Sequence, residues 1–107
     1  MADKENFDNE FDFGMDTKEK EKVTTPKMFK VLLHNDDYTT MEFVVEILVS
    51  IFHKTEEEAT QIMLDVHRKG RGLVGVFTYD IAVTKANQVH QEARKRDFPL
   101  KCTVESE

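Results

Sequence analysis

Two short patterns decide where helices can begin in this chain. Thr39-Thr40-Met41-Glu42 and Thr55-Glu56-Glu57-Glu58 each place a threonine three positions ahead of a glutamate. This is the capping box, in which a hydroxyl and a carboxylate satisfy the opening amides of a helix. The first predicts a helix from near residue 40, with Val44, Ile47, Leu48 and Ile51 on one buried stripe at i, i+3, i+4 and i+7. The second opens a helix whose stripe is Ala59, Ile62, Met63 and Val66 and which stops at Gly70. Thr78 or Asp80 caps a third, with Ala82, Ala86, Val89 and Ala93 facing inward until Phe98-Pro99 ends it.

The stretches between these helices have strand period. Met28 to His34 alternates Phe29, Val31 and Leu33 with Lys30, Leu32 and His34. Leu73 to Phe77 is a brief apolar run broken by Gly75 and reads as a strand buried on both faces. From Leu100 to Glu105, Leu100, Cys102 and Val104 alternate with Lys101, Thr103 and Glu105. The order β-α-α-β-α-β predicts an α+β two-layer sandwich, a small three-stranded antiparallel sheet with three helices on one face.

Residues 26–107 form this core domain. Residues 1–25 carry eight acids against four lysines, and their large apolar residues before Val23 are Phe7, Phe11, Phe13 and Met15. That composition predicts a flexible acidic N-terminal extension, because too little can be buried to offset the entropy of ordering it. Its phenylalanines are candidate docking points.

Composition removes several function classes. A chain of 107 residues has room for one domain and little for a large catalytic cleft. A formal charge of -6 argues against sequence-independent nucleic-acid binding, which needs a basic footprint to displace counterions. Arg68-Lys69-Gly70-Arg71 and Arg94-Lys95-Arg96 instead fall where cations complement helix C-termini. Cys102 is the one cysteine; it makes no internal disulfide and suits a reducing compartment as a small buried hydrophobe. No apolar run approaches the roughly 20 residues that cross a bilayer, and the N-terminus lacks a signal-peptide core. The expected location is the cytoplasm, with no membrane partner and a monomeric chain.

Gly70-Arg71-Gly72-Leu73-Val74-Gly75 has the spacing of a dinucleotide fingerprint. It follows a helix and enters a strand, the reverse of the context in which that motif holds pyrophosphate. A helix stop, a tight turn and close backbone packing account for these glycines. Asn35-Asp36-Asp37-Tyr38-Thr39 sits at the first strand-to-helix junction. These residues are either caps and turn formers or an acceptor-rich corner suited to an ammonium group with three donors and one charge. His67, beside Met63 on the second helix, is either a partly buried histidine satisfied by a neighbour or a further acceptor for that corner. A metal site from His34, His67 and Asp36 or Asp37 is a third reading; no H-x-x-x-H, cysteine pair or calcium loop supports it. No nucleophile sits in a recognisable frame, so neither an enzyme nor a cofactor is expected.

Lys30-Val31-Leu32 through Asn35-Asp36-Asp37-Tyr38-Thr39, then Met41-Glu42-Phe43-Val44, closely resembles the signature of the bacterial ClpS adaptors. The likeness continues through Ala59 to His67, Gly75-Val76-Phe77-Thr78, Thr84-Lys85 and Pro99 to Thr103. It covers roughly residues 27 to 105 in order. The resemblance implies that Asn35, Asp37 and His67 hold the α-amino group of a substrate protein while Asp36 orients its first residues. It implies a pocket for a large hydrophobic first side chain at Thr39, Met41, Val44, Met63, Val66 and Leu100, with Met41 as an adaptable gate. It further implies contact with the AAA+ unfoldase ClpA, which feeds ClpP, through Asp80 and Lys85. Asp80 stands where relatives often have Glu, and Thr40 and Lys101 replace a common Pro and Leu. Two rival readings remain: a docking domain like the C-terminal domain of the ribosomal stalk protein, and a metal-dependent hydrolase.

Overall fold

The structure is a computed structural model and describes residues 25–107. The acidic extension expected over residues 1–25 lies, but for Thr25, outside the described residues. The elements are β1 (Met28–His34), α1 (Met41–Ser50), α2 (Glu56–Lys69), β2 (Arg71–Thr78), α3 (Tyr79–Lys95) and β3 (Lys101–Ser106). This is the predicted β-α-α-β-α-β order. The sheet runs β2-β1-β3, antiparallel at both pairings. β1 is therefore central, and Val31, Leu32 and Leu33 are all buried.

The α3 stripe is built of small residues, and Ala82, Ala86, Val89 and Ala93 are all buried. Alanines let a helix approach closely, and α3 packs against all three strands. α1 and α2 pack on each other, and α2 also meets β2. Gly72 allows that last contact: a Cβ there would lie 2.8 Å from Val66 Cγ2 and 3.2 Å from the Ile62 carbonyl. Part of the glycine-rich run is thus explained by strand backbone packed on helix backbone.

β2 differs from the strand expected. A bulge between Val31 and Leu32 shifts the register, so that Val31 pairs with Gly75 and Leu32 with Leu73. Gly72 and Val74 turn inward, whereas Leu73 is 47% and Val76 36% exposed. The strand is buried on the one face against which α2 and α3 pack. Outside, Arg71 pairs with Glu105 at 3.3 Å across β1, and His34 Nε2 hydrogen-bonds Thr103 Oγ1 at 2.7 Å.

The helix ends follow the sequence with two adjustments. Thr55 and Glu58 form the complete capping box. At α1 the cap is Thr40, whose Oγ accepts from the Phe43 amide at 3.1 Å; the Thr39 hydroxyl donates instead to Asp36. Phe43, Val44, Ile47 and Leu48 are the buried residues of α1, while Ile51, at its C-cap, is half-buried. Phe43 packs on Phe98 with ring centroids 5.0 Å apart, and Arg96 lies over the Phe43 ring while bonding Glu46 at 2.8 Å. Thr78 is the N-cap of α3, without a side-chain bond, and Asp80 sits in the first turn, where an acid complements the helix dipole.

At the free edge of β3 the Cys102 amide donates to His90 Nε2 at 3.0 Å. Burial, then the Arg94 charge, lowers the His90 pKa. Burial, then Lys101 and Arg71, lowers that of His34, against a smaller raising effect of Glu105. Burial pushes the Cys102 thiol up to about 12, which fits its reading as a small hydrophobe.

Two outcomes are expected. Gly72→Ala costs about 1–3 kcal/mol through overpacking, measured by urea unfolding. Groups with folded pKa values below their unfolded ones stabilise the protein above the unfolded value, and this contribution is lost as pH falls through the folded one. The urea midpoint should therefore decline as pH drops below the ordinary histidine value of about 6.5, and a His34→Gln, His90→Gln double variant should flatten that part of the decline.

Candidate functional site

β1 ends at His34, and the chain then makes a tight polar turn. Asp36 organises it: Oδ1 accepts from the Tyr38 amide at 2.8 Å and the Thr39 amide at 2.7 Å, and Oδ2 accepts from the Thr39 hydroxyl at 2.8 Å. Burial pushes the Asp36 pKa up, but these three bonds outweigh it and leave it lowered. Asp36 thus remains a carboxylate with both oxygens committed to its own loop. The neighbouring Asn35 and Asp37 side chains stay exposed.

A second strut joins this loop to α2. The Asn35 amide donates to the Gly70 carbonyl at 2.9 Å, extending the β1–β2 ladder one residue past His34 and Arg71. Gly70 is the α2 C-cap at φ 90, a left-handed conformation in which glycine carries no Cβ penalty. The last turn of α2, with His67, is thereby placed against the loop.

Between them lies a cavity of about 260 Å³ lined by Asn35, Asp36, Asp37, Thr39, Met41, Val44, Met63, Val66 and His67. The lining combines polar side chains from the loop and the last turn of α2 (Asn35, Asp36, Asp37, Thr39 and His67) with thioethers and valines from α1 and α2 (Met41, Val44, Met63 and Val66). Such a lining has acceptors for a cationic donor group and apolar surface for a hydrophobic one.

Residues 24–103 match the family model of the ATP-dependent Clp protease adaptor protein ClpS. The chain belongs to the ClpS family. A ClpS adapter of Syntrophus aciditrophicus is 56% identical over 95 residues, 89% of this chain and 89% of the relative. One from Acetivibrio thermocellus is 63% identical over 82 residues, 77% and 83% of the two chains. The solved structure of Agrobacterium tumefaciens ClpS2 bound to L-phenylalaninamide superposes with a TM-score of 0.75 at 41% identity, covering 78% of this chain and all of that one. This chain is accordingly an adaptor of a Clp protease.

In this ClpS chain all the expected lining residues meet at the cavity except Leu100. Leu100 is buried in the core at the foot of β3 and does not line the cavity. His34, offered for a metal site with His67, is turned away from the lining and bonds Thr103. Among the described residues, no three His, Cys, Asp or Glu side chains are grouped as metal ligands.

Asp80 and Lys85 line a different, shallow hollow of about 240 Å³ with Ile81, Thr84 and Gln88. Asp80 is exposed. Lys85 has a structural engagement: its ammonium donates to the Ile51 carbonyl at 2.8 Å and lies 5.7 Å from the centre of the Phe52 ring. It thus neutralises the C-terminus of α1. The sequence reading also missed a groove of about 320 Å³ beside the cavity, lined by Met41, Glu42, Val45 and Met63. The i, i+4 pair Met41 and Val45 was its one sequence signal.

The Asp36 bonds predict a local titration. The folded pKa is depressed, so their stabilisation is complete above the unfolded value and lost as pH falls through the folded one. The Tyr38 and Thr39 amide resonances should titrate together with a midpoint below the ordinary aspartate value of about 3.9. Asp36→Ala should abolish that titration and raise exchange at both amides about tenfold or more.

Proposed function

We propose that this chain binds the free α-amino group and large hydrophobic first side chain of substrate proteins and delivers them to a ClpA-type AAA+ unfoldase for degradation by ClpP in the cytoplasm. The observation that carries the reading is the mixed lining of one cavity: Asn35, Asp37 and His67 line it together with Met41, Val44, Met63 and Val66. The likeness to a ClpS2 bound to L-phenylalaninamide, a first residue with a free amine, supports it.

The chemistry follows from the groups present. An α-amine with a pKa near 7.7–8 is largely protonated at neutral pH, so a chain start brings three donors and a charge that internal peptide bonds lack. Asn35 Oδ1, the Asp37 carboxylate and an imidazole nitrogen of His67 supply acceptors. Asp36 keeps the loop in shape so that these acceptors stay directed at one point. No bond is made or broken; the adaptor reads a chain end and holds it.

The apolar end takes the first side chain. A cavity of about 150 Å³ already holds benzene, so about 260 Å³ takes an aromatic or leucine side chain. Burying Leu or Phe contributes about 1.5–3 kcal/mol, comparable with one charge-assisted hydrogen bond. Neither end suffices alone, and specificity comes from their spacing. Phe, Tyr, Trp and Leu fit; Ile and Val, branched next to the backbone, clash with the rim. Asp80 and Lys85, with the hollow they line, form the delivery surface. That surface has no lining residue in common with the amine cavity, so a bound substrate leaves it open to the unfoldase.

Fluorescence anisotropy with peptides beginning Phe, Leu, Ile and acetyl-Phe tests the clamp. Phe and Leu should bind at least about tenfold more tightly than Ile or acetyl-Phe, since acetylation removes the charge and its hydrogen bonds. Equal binding of all four overturns the reading. His67→Ala should lose about tenfold in affinity for the Phe peptide. Delivery is tested by a reporter with a Phe start, whose degradation by ClpA and ClpP should require this chain and slow with Asp80→Ala.

A further inference from the structure

We propose that Met41 is a peroxide-sensitive modification site, and that its conversion to the sulfoxide weakens binding of hydrophobic first residues. The inference rests on the amine-and-pocket reading above and concerns regulation of that same cavity.

Met41 stands at the first position of α1 and is 44% exposed. It lines the cavity on one side and the outer groove with Glu42 and Val45 on the other. The groove keeps a second approach to this residue open when the cavity is filled. Met63 shares both linings but is only partly exposed, packed against the core. Among the described residues the one thiol is no competitor: Cys102 is buried, and its burial keeps it protonated. Peroxide reacts with thiolates and accessible thioethers, so within the described fold the reaction is directed to Met41.

The step balances simply. A sulfur lone pair of Met41 attacks hydrogen peroxide, an S–O bond forms as the O–O bond breaks, and water leaves. Sulfur loses two electrons and the peroxide is reduced. The product replaces a soft apolar wall with a polar, hydrogen-bond-accepting oxygen. Val44, Met63 and Val66, which line the cavity with it, offer no side-chain donor, and the Thr39 hydroxyl in the same lining is given to Asp36, so a phenyl or leucine side chain packed on that apolar wall beside the oxygen strips its water without replacement there.

The test uses the full chain and hydrogen peroxide, with peptide mapping by mass spectrometry and anisotropy of Phe-first and acetyl-Phe peptides. Met41 should oxidise ahead of Met63 and Met28, and affinity for the Phe peptide should fall about tenfold in step with Met41 sulfoxide. Treatment with methionine sulfoxide reductases and a thiol reductant should restore it. Met41→Leu sets its own affinity, and peroxide should leave that value unchanged; if the variant binds too weakly to measure, reductase reversal in the original chain decides. Oxidation of Met63 before Met41, or unchanged affinity at full Met41 oxidation, overturns the inference while leaving the binding reading intact. Untreated protein that fails to prefer Phe over acetyl-Phe overturns both.

Discussion

The backbone hydrogen bond from the Asn35 amide to the Gly70 carbonyl, at 2.9 Å, holds together two stretches that are far apart in sequence. On one side the chain leaves β1 for the polar turn; on the other it leaves α2 for β2. Gly70 makes the closure feasible because its left-handed backbone reverses direction immediately after a helix. One turn of α2 earlier stands His67, and one residue after Asn35 stands Asp36. The imidazole and the loop acceptors meet because this rung of the sheet is made.

The cavity beside this rung is continuous with the core. Val44 and Val66 are 6% and 3% exposed and belong to the central cluster, yet both line the hollow. The stripes that hold α1 and α2 together thus also supply the apolar wall. A space left unfilled there forgoes dispersion contacts that a packed interior would make. On the proposed reading, a hydrophobic first side chain entering from outside restores them, so that binding completes the packing that folding leaves open.

Much of this was legible in the sequence because local and global signals agreed. Thr55 and Glu58 announced α2, the alanine stripe announced α3, and the alternation of β1 announced a strand. The turn residues Asn35, Asp36 and Asp37 and the helix residues Met63, Val66 and His67, which the sequence offers as site candidates, line one cavity. What escaped depended on tertiary context. Thr39 looked like a helix cap, but the Asp36 carboxylate claims its hydroxyl, leaving Thr40 to cap. The bulge opposite Val31 moved Val76 outward, and no local propensity encodes which register wins. Leu100, a pocket position by resemblance, is buried in the core just ahead of β3 and is not among the residues that line the cavity. Lys85, an unfoldase contact by resemblance, also donates to the Ile51 carbonyl, a bond across 34 residues of chain that no local pattern encodes.

The imidazole of His90, set on the Cys102 amide, bears on how such a chain survives its own trade. An adaptor of a protease works among unfolded chains, and an open strand edge is a template for such extended backbone to stack upon. By occupying a donor on the β3 border, the ring denies an incoming strand one of the bonds it would need for registry. The β3 border is thereby a poorer template on which other extended chains could stack.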